Sequence, residues 1–241
     1  EFGEARVFDA PLAESGIVGT AVGMAVSGLR PVVEMQFSGF VYPAFNQIVC
    51  HLARMRNRSR GTLTCPAVVR MPYGGGVRAL EHHSESMEAL FAHVQGLKVV
   101  IPATPYDAKG LLSSAIRDED PVIFMEPKRV YRAIKQEVPE EPYQIPLGKA
   151  RVIVPGEHLT LVSYGAVLRD VQRAVQIAKT ERPDVSVEII DLRSIVRGLL
   201  RATHFLRAVT AEGYDVLFVG TKRGARNVIR DNEGAGLTIW S

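Results

Sequence analysis

Short apolar runs rich in β-branched residues alternate along this chain with longer segments whose apolar positions recur every three or four residues. The runs at 5–8, 31–37, 67–71, 98–101 and 121–125 predict strands. Between them, 16–28 predicts a helix of small and apolar residues. A second helix opens at Pro43 and carries Phe45, Ile48, Val49, Leu52 and Met55 at helical spacing. A third spans 87–93, and a fourth opens at Thr104-Pro105 with Asp107 in its first turn, where the helix dipole favours an acid. Strands separated by helices of this length argue for a parallel, doubly wound α/β sheet.

From about 127 to 156 the periodicity breaks. Pro139, Pro142, Pro146 and Pro155 interrupt it, with Glu137, Glu140 and Glu141 among them, which predicts a linker over 128–156 between domains at 1–127 and 157–241. A second α/β unit is then expected: strand 159–163, helix 166–179 with Val167, Val171, Val175 and Ala178 on one face, and strand 185–191. Beyond it, 199–209 predicts a helix, 215–219 a strand and 224–231 a helix.

Composition narrows the function classes. The 241 residues are 46% hydrophobic and 23% charged, an ordinary globular balance, and the net charge of +3 gives no general argument for nucleic acid or an acidic membrane. No run of 18 apolar residues is present to span a bilayer. The basic stretch Arg54 to Arg60 reads as a solvated helix end. Cys50 and Cys65 form no C-x-x-C pair, which suits a reducing compartment.

Three stretches carry candidate chemistry. Glu14 stands where an extended segment gives way to the helix with Gly16, Gly19 and Gly23. Glycine inside a helix costs about 1 kcal/mol against alanine, so close packing is expected there, with a strongly hydrogen-bonded carboxylate at its mouth; a simple dipole role is the alternative. Glu81-His82-His83-Ser84-Glu85-Ser86 follows a triple glycine, and a histidine there suits proton transfer better than metal binding, since adjacent histidines point apart and no third ligand has suitable spacing. Gln36-Phe37-Ser38-Gly39-Phe40 lies where a strand ends, the position at which parallel α/β sheets bind ligands; its aromatics can stack on a heterocycle or fill the core. Gly74 to Gly76 has neither the Lys-Ser/Thr of a P-loop nor a dinucleotide fingerprint.

The order of Ala13-Glu14-Ser15-Gly16-Ile17-Val18-Gly19, the run from Glu34 to Phe45, Arg70-Met71-Pro72-Tyr73-Gly74-Gly75-Gly76 and the histidine motif resembles the β subunit of the E1 component of thiamine-diphosphate-dependent 2-oxo acid dehydrogenases. The stretches 96–105 and 120–128 match as well; the branched-chain bacterial type matches best, with a pyruvate or acetoin enzyme, or a non-catalytic truncated or chimeric chain, as the alternatives. The resemblance implies a transketolase-like pyrimidine-binding domain followed by a truncated transketolase C-terminal α/β domain. It implies that Glu14 hydrogen-bonds N1′ of the cofactor's aminopyrimidine, that Gln36, Phe37 and Phe40 line the cofactor pocket, and that His83 rather than His82 assists acyl transfer to a lipoyl-bearing E2 partner. Ala67, Val68, Ala115, Asp118 and Asp120 correspond to a region that binds potassium in some relatives. The Gly-Asp-Gly diphosphate and magnesium motif is not in this chain, which implies that an α subunit holds those groups in an α2β2 tetramer and that this chain alone is inactive. Such a protein is cytoplasmic in a bacterium, or in the mitochondrial matrix of a eukaryote.

Two departures accompany the match. Family members begin earlier, so the first elements of the pyrimidine-binding domain are expected to be missing. After about residue 195 the family pattern stops, and 211–223 instead resembles a small-subunit ribosomal protein, with Lys222, Arg223, Arg226 and Arg230 as a basic face.

Overall fold

A computed structural model describes residues 2–193 together with residues 211, 216 and 217. The chain divides into two compact units, the first closing at Leu147 and the second opening at Gly148.

In the first unit a sheet of order β1-β2-β4-β3 is parallel throughout. Its strands are β1 (Val32–Glu34), β2 (Val68–Tyr73), β3 (Lys98–Val100) and β4 (Val122–Pro127). The two central strands are almost wholly buried, which is why 67–71 and 121–125 read as continuous apolar runs rather than alternating ones. Four α-helices accompany the sheet: α1 (Glu14–Val26), α2 (Met55–Arg58), α3 (Glu88–Ala92) and α4 (Pro105–Arg117). Thr104 caps α4 as its sequence requires, its hydroxyl accepting the Asp107 N–H with Pro105 in the first turn.

The structure departs from the sequence reading in four places. Residues 5–8 form no strand: the Arg6 and Val7 N–H groups both bond the Gly3 carbonyl, and Val7 and Phe8 lie exposed beside no strand among the described residues. The helix expected from Pro43 is instead a 3-10 turn, Ser38–Ala44, followed by a π-helical turn, Gln47–Leu52, and then α2. Pro43 has no N–H for a regular ladder, and the wider turn keeps Ile48 and Leu52 in the core. The glycines of α1 mark no close packing among the described residues: a Cβ at Gly23 would meet none of them within 4 Å, and one at Gly19 would only touch Gln47. Finally, the proline-rich stretch straps onto α4. Tyr143 and Ile145 press so near that a Cβ on Gly110 would fall 2.6 Å from each. The Ile145 N–H bonds the Gly110 carbonyl, Ser114 donates to the Ile145 carbonyl at 2.7 Å, and Lys109 donates to carbonyls of Pro139, Glu140 and Glu141. Ile145 thereby joins the cluster of Val68, Val100, Leu111, Val122 and Phe124.

The second unit has β5 (Arg151–Val154), β6 (Leu159–Ser163), β7 (Val187–Asp191) and β8 (Val216–Leu217) in the order β5-β7-β6-β8, with β5 antiparallel and the others parallel. β5 lies inside the stretch read as linker. Helix α5 (Val167–Glu181) buries Leu168, Val171 and Val175, whereas Ala178 is exposed. The helices expected at 199–209 and 224–231 lie outside the described residues. No described helix is long and apolar enough to cross a membrane.

Candidate functional site

Three loops leave the carboxyl ends of β1, β2 and β4 and meet. After β1, Phe37 is extended and the 3-10 turn carries Ser38, Gly39, Phe40 and Tyr42. After β2, Gly74 and Gly76 at positive φ turn the chain into the histidine loop. After β4 comes Lys128. Gly39 is what lets the first two loops touch, because a Cβ there would stand 2.2 Å from the His82 carbonyl oxygen.

Glu85 is the clamp between them. Its backbone carbonyl accepts the Gly74 N–H at 2.7 Å and the Ser38 hydroxyl at 3.2 Å. Its carboxylate accepts the Tyr42 hydroxyl at 2.6 Å and stands 3.2 Å from His82 Nδ1. The hydrogen bond to Glu85 holds the Tyr42 hydroxyl above its ordinary pKa. His82, at φ 65°, occupies the left-handed region to make this contact.

The clamp delivers His83 to the aromatics. Its ring centroid lies 4.6 Å from that of Phe37 and 5.3 Å from that of Phe40, and the two phenyl rings meet edge to face at 5.8 Å. His83 Nδ1 is 2.9 Å from the Glu81 carbonyl oxygen. A carbonyl only accepts, so the neutral ring carries its proton on Nδ1 and keeps Nε2 as the base. The Lys128 ammonium sits 4.9 Å over the Phe37 ring, with burial lowering its pKa. No carboxylate among the described residues pairs with it.

Of the residues singled out from sequence, Phe37, Phe40 and His83 come together. Glu14 stands elsewhere, at the first turn of α1, half-buried and without a hydrogen-bond partner among the described residues. Gln36 is exposed beside Phe37. Helix α1 packs against the 3-10 and π turns, which puts Glu14 and the ring-bearing turn on adjoining elements. An uncommitted carboxylate and an aromatic surface fit an aminopyrimidine ring. Gly39, Tyr42, Glu85 and Lys128 escaped the sequence reading as parts of one assembly. Their roles arise from contacts between loops 40 or more residues apart in sequence; the sole local signal is Glu85 three residues beyond His82.

The expected potassium region does not fit that ion. The Ala67 carbonyl accepts the Val122 N–H and the Ala115 carbonyl that of Asp118, while Val68 lies within β2. Asp118 takes the Lys98 ammonium on both oxygens at 2.6 and 2.7 Å, and Asp120 takes Arg56 Nε at 2.5 Å. The Ala67 and Ala115 carbonyls and the Asp118 and Asp120 carboxylates thus already accept from the chain's own donors. Among the described residues no group of three or more His, Cys, Asp or Glu side chains is arranged to hold a metal.

The parallel sheet with its loop site and the second α/β unit have the transketolase-like fold. The chain belongs to the transketolase pyrimidine-binding domain family, whose model matches residues 1–134. The transketolase C-terminal domain matches 148–198, and ribosomal protein S2 matches 176–235. Over 195 residues, 81% of this chain, it is 60% identical to the pyruvate dehydrogenase E1 component subunit beta of Acholeplasma laidlawii. The corresponding figures are 52% for the Bacillus subtilis pyruvate dehydrogenase subunit and 50% for that organism's 2-oxoisovalerate dehydrogenase subunit beta. The chain spans 59% of the length of each of these relatives. In fold it is similar to a split gene transketolase, solved as an inactive beta4 tetramer, with a TM-score of 0.64 at 20% identity over 85% of this chain and 62% of that one.

Proposed function

We propose that this chain is the β subunit of an E1 component that decarboxylates a small 2-oxo acid and passes the acyl group to a lipoyl-bearing E2, working with an α subunit in an α2β2 tetramer. The observation that carries the reading is the convergence of His83, Phe37, Phe40 and Lys128 at the strand ends of a pyrimidine-binding domain. Glu14 holds the aminopyrimidine of thiamine diphosphate, Phe37 and Phe40 give its pocket an apolar wall beside Gln36, and the α subunit holds the diphosphate and magnesium. Bound there, the cofactor supplies the carbon nucleophile and electron sink for loss of carbon dioxide. His83 offers Nε2 as the base or acid during acyl transfer, its tautomer fixed by the Glu81 carbonyl. Lys128, an ammonium without an acid partner among the described residues, holds the carboxylate of the incoming 2-oxo acid. The likeness is greater to a pyruvate enzyme, at 60% identity, than to the 2-oxoisovalerate enzyme at 50%, so pyruvate is favoured over the branched-chain substrate expected from sequence motifs. These relatives are bacterial, and the activity is assigned to the cytoplasm.

The test is co-expression with bacterial E1 α subunits of both kinds, supplied with thiamine diphosphate, magnesium and an artificial electron acceptor. Turnover of pyruvate above 3-methyl-2-oxobutanoate is expected. A purified tetramer that turns over neither overturns the reading.

The ribosomal protein S2 match at 176–235 favours a second reading, a chain whose tail binds ribosomal RNA. Replacing Lys222, Arg223, Arg226 and Arg230 together by alanine would then abolish salt-sensitive RNA retention by the full chain. Equal retention by both forms rejects it.

A further inference from the structure

The disagreement over potassium has a positive counterpart: we infer that Arg30 is a tethered cation that replaces a monovalent ion at the carboxyl end of α4 and makes the 116–120 turn independent of potassium. Arg30 enters from the loop before β1, more than 80 residues away in sequence. Its Nη1 donates to the carbonyl oxygens of Ile116 at 3.1 Å and Asp118 at 3.0 Å, and its Nη2 pairs with the Glu119 carboxylate. Ile116 lies in the last turn of α4 and Asp118 is its C-cap, so these carbonyls stand at the negative end of the helix dipole. That is the chemistry a bound potassium ion would serve: one positive charge shared among backbone oxygens. The planar guanidinium does it with directed N–H groups that an ion lacks.

The surrounding charge closes the site to a further cation. Asp118, Glu119 and Asp120 face Lys98, Arg30 and Arg56, three acids against three bases. Lys98 reaches both Asp118 oxygens and stands 3.4 Å from Asp120. The Asp118 carboxylate also accepts the Asp120 N–H at 2.9 Å, folding the turn onto itself, and Thr64 donates to Glu119 at 3.2 Å. A potassium ion would have to compete with an attached guanidinium for the Ile116 and Asp118 oxygens and would meet two further cations beside them. Tethering also removes the dependence on ion concentration that mass action imposes on a bound ion. The Arg30 pair lowers the Glu119 pKa, consistent with a charge held in place at neutral pH.

The test uses the full chain alone. It is melted at constant ionic strength in potassium chloride and in choline chloride, beside Arg30→Met, which keeps most of the aliphatic stem. Equal melting temperatures in the two salts are expected for the native sequence. Arg30→Met should lower them by about 2–4 °C and speed hydrogen exchange at the amides of 118–120. A melting temperature of the native sequence that rises specifically with potassium overturns the inference. So does an Arg30→Met variant with unchanged melting and unchanged exchange.

Discussion

The two ends of the first sheet are built on opposite principles. At the amino ends of β3 and β4, Lys98, Arg30 and Arg56 answer the acids of the 118–120 turn. At the carboxyl ends, the Lys128 ammonium rests on a phenyl ring with no acid partner among the described residues. In between, Arg70 spans the sheet surface, holding Glu126 at 2.5 Å and Glu34 at 2.9 Å. Burial of an unpaired ammonium is costly, so a fold under no other demand would pair Lys128 as it pairs Lys98. The contrast separates charges that hold the fold from charges kept for a ligand.

The sharpest way to break the comparison is at Glu14. Glu14→Gln in the assembled enzyme keeps the volume and the helix start but removes the carboxylate. Decarboxylation should fall by about 100-fold to 10,000-fold, the usual worth of a positioned proton-transfer group, with an unchanged melting temperature. Comparable turnover in the variant would mean that the pyrimidine is held elsewhere.

Lys128→Met comes next. A charged hydrogen bond to the substrate carboxylate is worth about 1.5–3 kcal/mol, so KM for the 2-oxo acid should rise roughly 10-fold to 150-fold with kcat largely kept. Because the native ammonium abandons no acid among the described residues, thermal stability should hold or rise. A fall in stability with KM unmoved would return Lys128 to the structural group.

Lys98→Met is the mirror experiment. It leaves Asp118 partly buried with its main cation gone, at a cost of about 1–3 kcal/mol, or roughly 2–12 °C in melting temperature. Catalysis at the opposite end should be unaffected once the enzyme is assembled. Loss of kcat without loss of stability would break the division between the two ends.

How much of this was legible follows the range of the forces involved. The strands and the cap of α4 are local: apolar runs, Thr104, Pro105 and Asp107 announce them within a few residues. Phe37 and Phe40 were readable as candidates at a strand end and the histidines in the loop beyond the triple glycine, and the resemblance set His83 apart from His82. The Glu85 clamp was not, since Tyr42 and Glu85 meet only after two loops fold together across Gly39. The α1 glycines misled for a related reason: small residues indicate close approach, but among the described residues nothing stands within 4 Å of a Cβ placed on Gly23. The strap over α4 was hidden because a proline-rich segment looks like a linker whether its carbonyls meet water or Lys109. The resemblance points to the 115–120 turn for potassium but says nothing of Arg30, which arrives there from a distant loop.

The smallest effect at neutral pH concerns the thiols, and it tests how tightly the charged end is closed. Cys65 is 1% exposed beside the acid turn, its N–H bonded to the Glu119 carbonyl, while Cys50 is half-buried on the π turn. Burial pushes the Cys65 thiol up to about 11. The thiolate is the reactive form, so one thiol per native chain, Cys50, should react with a disulfide reagent near pH 8, and the second only on unfolding. The same shift sets a stability window. An unfolded thiol ionises near about 8.5, so the folded chain binds the extra proton between there and about 11. This contribution is therefore fully present below about 8.5 and is lost as pH rises, by roughly 1.4 kcal/mol per unit, levelling off above the folded value. Cys65→Ala should flatten the alkaline fall in stability across that window, whereas Cys50→Ala should leave it unchanged. Rapid labelling of both thiols in the native chain would show that the paired end opens without global unfolding.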